Sequence, residues 1–168
     1  MREILLDKVT LNMGVGASTE RLENAKTLLQ RITGKKPVQT LARTRNPTFK
    51  IRKGEPIGMK VTLRGKQAEE ILGKALQSRE SKVLERSFDK GGTFSVGVKE
   101  YIDFPGMKYD PKIGMMGFDV CVTFKRRGIR IARRKIGTAR LPKKQRVTRE
   151  EAKEFILKTF KVQMVNEQ

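Results

Sequence analysis

The feature that most constrains the fold of this chain is a strict alternation of apolar and polar side chains over short stretches. In the segment Val9–Met13 the odd-numbered residues are apolar, whereas Thr10 and Asn12 are polar. Because successive side chains of a β-strand point to opposite faces, this pattern predicts strands with one buried and one solvent-facing side. The same alternation recurs in three later segments, which are Met59–Leu63, Phe94–Val98 and Phe118–Phe124.

Three other stretches carry apolar residues at the spacing of an amphipathic helix. The first follows the capping candidates Ser18 and Thr19 and is predicted to end at Gly34. The last follows Thr148-Arg-Glu-Glu151, which has the form of a capping box. A weaker pattern predicts a short strand over residues 38–43. The apolar helical faces are Leu22, Ala25, Leu29 and Ile32, then Ala68, Ile71, Leu72, Ala75 and Leu76, and finally Ala152, Phe155, Ile156 and Phe160.

Alternating strands are typical of an antiparallel or mixed sheet that is covered on one face only. Three amphipathic helices suffice to cover that face. The sequence therefore predicts an α/β protein of the α+β type, a single domain over residues 1–168, with a mostly antiparallel sheet, helices on one face and an open, polar, basic face on the other. The predicted open face carries Thr10, Asn12, Lys60, Thr62, Arg64, Thr123 and Lys125.

The net charge of +20 is concentrated in two parts of the chain. Residues 35–66 have a net charge of +9 and include a basic loop, residues 43–54. Residues 125–146, the basic segment, contain eleven Lys and Arg and no acid. Charge concentrated in this way on an otherwise balanced chain predicts contact with a polyanion at two places. We expect part of these two regions to become ordered only on that partner.

Composition argues against catalysis and against cofactors. The chain has no histidine, so the commonest general base and metal ligand is missing. Its one cysteine, Cys121, lacks an activating histidine and is interpreted as a packing residue. No cluster has metal-ligand spacing, and no small-molecule substrate site is indicated. The charged N-terminus does not resemble a signal peptide, and no apolar run reaches transmembrane length, so we expect a cytoplasmic protein.

Nucleic acid is the favoured polyanion. The basic segment is interleaved with apolar residues but lacks the long apolar face that membrane-surface helices need. Gly14-Val-Gly16 follows a predicted strand, yet it lacks the remaining residues of a phosphate-binding loop, and a tight turn is the better interpretation. No DNA-binding motif is present, whereas an open polar sheet with irregular basic loops suits a folded RNA.

Several long motifs in a fixed order resemble the ribosomal protein L-five family, and the resemblance covers nearly the whole chain. The motifs are Val9-Thr-Leu-Asn-Met-Gly-Val-Gly16, Ile32-Thr-Gly-Lys-Lys-Pro37, Phe49-Lys-Ile-Arg-Lys-Gly-Glu-Pro-Ile-Gly58, Val61-Thr-Leu-Arg64, and Gly97-Val-Lys-Glu100 with Phe104-Pro105. Residues 125–151 look like the archaeal branch of that family. The resemblance implies a structural protein of the large ribosomal subunit that anchors 5S rRNA in the central protuberance.

The resemblance also assigns residues to partners. Asn12 and Thr62 match family residues that contact 5S rRNA, whereas Lys35 stands where the family has a glutamine. An ammonium only donates, so at this position we expect contact with a phosphate. The predicted 5S rRNA surface comprises Thr10, Asn12, Met13, Gly14, Lys35, Lys36, Lys60, Thr62 and Arg64.

Two further contacts follow from the resemblance. The basic loop matches the family loop that reaches P-site tRNA, with Arg43, Arg45, Asn46, Lys50, Arg52 and Lys53 as the predicted contacts; docking on ribosomal RNA is the alternative. Residues 107–117 and the basic segment are the two candidates for contact with large-subunit rRNA or with the small-subunit protein S-thirteen at the subunit bridge. In the basic segment the candidates are Arg126, Arg127, Arg130, Arg133, Arg134, Lys143 and Lys144.

The sequence thus predicts a non-catalytic RNA-binding protein. One alternative is a general RNA-binding or RNA-chaperone protein without preference for 5S rRNA. An RNA-modifying enzyme is the other, and the missing histidine and cofactor motifs argue against it.

Overall fold

The structure is a computed structural model that describes residues 3–16 and 18–165. Residues 1–2, 17 and 166–168 of the predicted domain lie outside the described residues. The strands are β1 (Ile4–Gly14), β2 (Val38–Leu41), β3 (Pro56–Leu63), β4 (Lys82–Leu84), β5 (Phe94–Val98), β6 (Phe118–Arg126) and β7 (Gln163–Val165). The α-helices are α1 (Thr19–Thr33), α2 (Lys66–Gln77), α3 (Arg130–Arg133) and α4 (Arg149–Phe160).

Five of the strands form one antiparallel sheet in the order β2-β3-β1-β6-β5. Strands β2 and β3 pair with Val38 opposite Lys60, and the register shifts at the end of β2. The remaining two strands, β4 and β7, form a small parallel pair with Val83 opposite Met164. The predicted α+β class with a mostly antiparallel sheet is confirmed.

Internal contacts divide the chain into two compact units. The first unit comprises Met1–Val9, Leu63–Val96 and Cys121–Gln168, and the second comprises Thr10–Thr62 and Gly97–Val120. The expectation of a single domain stays a prediction.

In the second unit, α1 supplies one side of the apolar core. Its buried residues are Leu22, Ala25, Leu28 and Leu29. The helix ends where Gly34 adopts a left-handed conformation at φ 66° and donates its N–H to the carbonyl of Gln30, as the sequence predicts. Phe104 and Phe118 meet edge to face with ring centres 5.6 Å apart. Each such buried side chain stabilises the fold by about 1.5–3 kcal/mol.

In the first unit, α2 and α4 bury their apolar faces. Five residues of α2 are buried, and α4 buries Ala152 and Ile156. Phe155 of α4 packs edge to face on Phe124 of β6, with ring centres 5.4 Å apart. The predicted capping box is confirmed, because Thr148 and Glu151 exchange side-chain to backbone hydrogen bonds at the start of α4.

The observed strands differ from the predicted ones at their ends. Strand β1 begins at Ile4, five residues before the clean alternation, and β2 ends at Leu41 instead of Arg43. The short elements β4, β7 and α3 were not predicted. Elements of three or four residues are too short to show a period. Moreover, β4 and β7 are defined by pairing with a partner far along the chain.

Candidate nucleic-acid interface

The polar sides of β1 and β3 form the sheet face of the second unit, and none of the predicted contact residues there is buried. Thr10 and Asn12 of β1 are partly exposed, whereas Lys60 and Thr62 of β3 are exposed. The two strands are direct neighbours in the sheet. Their apolar residues face the other way, and Leu11, for example, is fully buried. The alternation therefore identified the accessible face correctly, and this face offers hydroxyl, amide and ammonium groups.

Met13 is a correction to the predicted RNA surface. Its side chain is 1% exposed because it lies on the core face of β1, so a contact of this side chain with RNA is excluded. Gly14 is exposed, as expected. The backbone N–H groups of Val15 and Gly16 donate to the carbonyl of Ile57 at 3.1 and 3.0 Å. These donors fasten β1 to β3, which confirms the tight-turn interpretation over the phosphate-loop one.

Lys35 and Lys36 lie in the turn that follows α1. Both side chains are exposed, and the backbone N–H of Lys35 donates to the hydroxyl of Thr33 at 3.2 Å. Pro37, directly after them, is buried and has a fixed φ. The two ammonium groups are thus presented on an ordered turn.

The basic loop is a closed hairpin. Asn46 and Ile51 exchange two backbone hydrogen bonds of 3.0 Å, and Lys50 donates to the carbonyl of Pro47 at 3.0 Å. At the base of the loop, Gly54 donates to the carbonyl of Ala42 at 2.9 Å. This backbone pairing gives the loop a defined shape in spite of its polar sequence.

All five cations of the basic loop are exposed: Arg43, Arg45, Lys50, Arg52 and Lys53. The nearby Glu55 accepts from the backbone N–H of Arg52 at 2.9 Å, so its carboxylate is used inside the loop. Within the described residues, none of these cations pairs with an acid. Phe49, a residue that the sequence prediction did not single out as a contact, stands at the tip with 70% of its surface exposed. An exposed aromatic ring among free cations is suited to stacking on an unpaired base.

Arg126 is a second correction. Its side chain is 7% exposed, and it donates to the carbonyl of Lys144 at 2.9 Å and to the carboxylate of Glu151. The backbone N–H of Thr148 and the Arg126 guanidinium both lower the pKa of the Glu151 carboxyl. Arg126 therefore ties the end of β6 to the start of α4 and is not available to RNA.

The other predicted residues of the basic segment are exposed. Arg127 pairs with Glu3 at 3.1 Å, and both side chains are more than half exposed. Arg134 donates to the carbonyl of Gly137 and closes a small turn. Arg130, Lys143 and Lys144 have exposed side chains without an acidic partner in the described part of the chain.

The second bridge candidate, residues 107–117, is fixed to its own unit. Arg31 pairs with Asp110 at 2.7 Å, and together with the backbone N–H of Lys112 it lowers the pKa of the Asp110 carboxyl. The Asn24 amide donates to the carbonyl of Lys112 at 3.1 Å. These bonds hold the loop beside α1.

Asp7 is a buried acid that the sequence did not single out. Its side chain is fully buried, yet it pairs with Arg133 at 2.8 Å, Lys125 at 3.1 Å and Arg64 at 3.5 Å. Asp7 occupies an odd-numbered position of β1, like the core residues Val9 and Leu11. A buried acid needs a cation, but the alternation that the sequence shows begins only at Val9, so the sequence pattern did not indicate that Asp7 is buried.

Two classes of site are not found in the described residues. They contain no group of three or more His, Cys, Asp or Glu residues that could hold a metal ion. Among the same residues, no helix is both long and apolar enough to cross a membrane.

Comparison with known proteins gives one consistent result. A family model described as "Ribosomal protein L5" matches residues 1–52, and one described as "ribosomal L5P family C-terminus" matches residues 56–156. The large ribosomal subunit protein uL5 of Methanococcus maripaludis strain C7 is 49% identical over 99% of this chain and 94% of its own length. The corresponding proteins of Methanoregula boonei and Sulfurisphaera tokodaii are 46% and 49% identical, each over 98% of this chain and over 99% and 94% of their own lengths.

Proposed function

Because this chain belongs to the ribosomal protein L-five family, we propose that it is a structural constituent of the large ribosomal subunit that binds 5S rRNA and anchors it in the central protuberance. The family consists of structural components of the ribosome, so the chain is not an enzyme. Its place of action is then the ribosome in the cytoplasm.

The polar face of β1 and β3 is the observation that carries the 5S proposal. Asn12 and Thr62 offer an amide and a hydroxyl on neighbouring strands whose opposite sides are buried in the core. Such groups can read the shape and the 2′-hydroxyls of a folded RNA. Lys35, Lys36 and Lys60 add exposed positive charge for the phosphates.

We further propose that the basic loop contacts P-site tRNA. Its shape is fixed by backbone pairing, and its cations are free of acidic partners within the described residues. A loop of this kind suits contact with a second RNA because its backbone already has a defined shape before binding. Large-subunit rRNA and the small-subunit protein S-thirteen remain the proposed partners of residues 107–117 and of the exposed part of the basic segment.

The decisive experiment is a titration of the protein with folded 5S rRNA in the presence of excess tRNA or random RNA, repeated over a series of salt concentrations. Binding that survives the competitor supports the 5S proposal, and the salt slope then counts phosphate contacts at about 0.7–0.9 per contact. Binding that the competitor abolishes would leave the general RNA-binding alternative, in which the cations act alone.

A further inference from the structure

A cluster of three cations around one buried carboxylate links parts of the chain that the sequence assigned to different partners. Arg64 was placed with the 5S rRNA surface, whereas Arg133 was placed with the rRNA or bridge contacts. In the structure both side chains donate to Asp7, together with Lys125. All four residues belong to the first compact unit. Arg133 is 126 residues from Asp7 in sequence, so only tertiary structure brings them together.

The geometry brings the three cations next to one another. One oxygen, Oδ1 of Asp7, accepts from Lys125 Nζ at 3.1 Å, from Arg133 Nη1 at 3.3 Å and from Arg64 Nη1 at 3.5 Å. The other oxygen, Oδ2, accepts from Arg133 Nη2 at 2.8 Å, so Arg133 grips the carboxylate with both terminal nitrogens. Bidentate pairing of this kind fixes the plane of the guanidinium.

The charges of the cluster do not balance. Three positive side chains share one negative side chain, and Asp7 is their one acidic partner among the described residues. Like charges held this close repel one another, and the single charge of Asp7 offsets that repulsion only in part. The unbalanced charge therefore favours binding of an additional anion at this place.

The open side of the cluster consists of donors. The Asp7 side chain is 0% exposed, whereas the side chains of Arg64, Arg133 and Lys125 are 61%, 46% and 32% exposed. An arginine carries five N–H donors and a lysine three, so Asp7 satisfies only a minority of them. The remaining donors suit an acceptor-rich ligand, and a phosphodiester presents such oxygens with one negative charge.

We propose that Asp7 is a positioning residue that holds Arg64, Lys125 and Arg133 as one preassembled site for a backbone phosphate of the RNA to which the sheet face binds. The inference rests on the proposed function, since it names RNA as the source of the phosphate. It assigns Arg133, and with it the start of the basic segment, to the same RNA surface as Arg64. It also gives the segment an attachment that exists before RNA binds.

The substitution Asp7→Asn tests this proposal, because the proposal and simple charge predict opposite changes in RNA affinity. Removing an acid from an RNA-binding protein raises the net charge, so charge alone predicts tighter binding. Loss of a preassembled site predicts weaker binding. We expect about tenfold weaker affinity for a folded 5S rRNA transcript, equivalent to about 1.4 kcal/mol. The matched control is Glu70→Gln, which changes the charge equally on the exposed surface of α2, where the described residues give Glu70 no cationic partner.

A double-mutant cycle separates positioning from general destabilisation. Arg133→Ala should also weaken binding and lower the salt slope by about one phosphate contact. In the combined variant the two losses should not add, because each removes the same arrangement. Lys74→Ala, an exposed lysine on α2, controls for loss of one positive charge. Additive losses would assign Asp7 a separate, purely structural role.

Hydrogen exchange of the free protein provides a readout without RNA. The amides of Arg134 and Ala139 donate to Arg130 and Ile131 within the basic segment, and both should exchange faster in Asp7→Asn than in Glu70→Gln. Unchanged exchange together with unchanged or tighter RNA binding would overturn the inference. If Asp7→Asn does not fold, the variants Arg64→Ala and Arg133→Ala provide the test, because each still leaves Asp7 paired with a cation. RNA affinities and salt slopes equal to those of Lys74→Ala would overturn the inference.

Failure of this inference can be told apart from failure of the proposed function. If the wild-type protein binds 5S rRNA and tRNA equally, the 5S proposal fails. The comparison of Asp7→Asn with Glu70→Gln then still tests the cluster on either RNA, since a phosphate is common to both.

Discussion

The Arg126 guanidinium donates to the same Glu151 carboxylate that accepts the backbone N–H of Thr148 at the start of α4. One carboxylate therefore completes a capping box and neutralises a nearly buried arginine. The last cation of β6 thereby becomes part of the core of its unit, although its neighbours in sequence are exposed. Burial of a charge demands a partner, and Glu151 meets that demand.

Substitution of Glu151 by alanine should destabilise the fold without weakening RNA binding. It leaves Arg126 buried without its counter-charge and removes half of the capping box, for an expected loss of about 2–4 kcal/mol. Thr148→Ala, which removes only the cap, should cost about 1 kcal/mol. Denaturant unfolding measures both losses. Equal losses for the two variants would contradict a structural role for the Arg126 pair.

The sheet-face assignment predicts that Asn12→Ala and Thr62→Ala weaken binding to 5S rRNA with little change in salt slope. Each variant removes a neutral hydrogen-bonding group, worth about 0.5–1.5 kcal/mol, and releases no counterions. Thr159→Ala, an exposed threonine of α4, is the matched control. Wild-type affinity in both sheet variants would show that RNA binds elsewhere.

A substitution of Lys35 tests whether this residue contacts a phosphate of 5S rRNA. Replacing it by glutamine, the residue that the resemblance implies at this position, removes one charge from the turn after α1. If the ammonium contacts a phosphate, the salt slope for 5S rRNA should fall by about 0.7–0.9. The slope is obtained from titrations at four or more salt concentrations. An unchanged slope would indicate that Lys35 lies outside the contact.

The basic loop is expected to serve tRNA and not 5S rRNA. Replacing Arg43, Arg45 and Arg52 together by alanine should reduce tRNA binding and leave 5S affinity within about twofold, because the loop cations make no phosphate contact with 5S rRNA in this assignment. The control variant replaces Lys26, Lys74 and Lys90, three exposed lysines outside the two basic regions, and so loses the same charge. If the loop variant loses 5S rRNA binding and the control variant does not, the loop belongs to the 5S rRNA surface.

The Asp7 carboxylate should contribute to stability in a way that depends on pH. Hydrogen bonds from Arg133, followed by those from Lys125, hold its pKa at about 2, below the ordinary value of 3.8, against the opposing effect of burial. The ionised form is therefore stabilised by folding, and the contribution of about 2 kcal/mol is fully present above pH 4. It is lost as the pH falls through 2. The free energies of unfolding of the wild type and of Asp7→Asn, measured from pH 5 to pH 2, should therefore differ less at the acid end. A difference that stays constant over this range would contradict the lowered pKa of Asp7.

The two corrections have a common physical origin. Met13 was included in the RNA surface because it lies in a family motif, although its own alternation with Asn12 placed it on the core face. Arg126 was included because it lies in a run of cations, although it shares the register of the buried Phe124. In both positions the period of the strand was the better guide, since register fixes which side of a sheet a side chain occupies.

By itself, the sequence determined the faces of the strands, the three main helices with the Gly34 end of α1 and the capping box of α4, and the family; the predicted cap of α1 at Ser18 makes no side-chain hydrogen bond. Such features depend on interactions within a few residues: the two-residue period that exposes Asn12 and Thr62, the left-handed turn at Gly34, and the capping box at Thr148. Only the tertiary structure decided which cations remain available to RNA. Arg126 is neutralised by Glu151, and Arg133 is held beside Arg64 by Asp7. These partners lie far apart in the chain, and a buried charge takes whichever counter-charge the fold brings within reach.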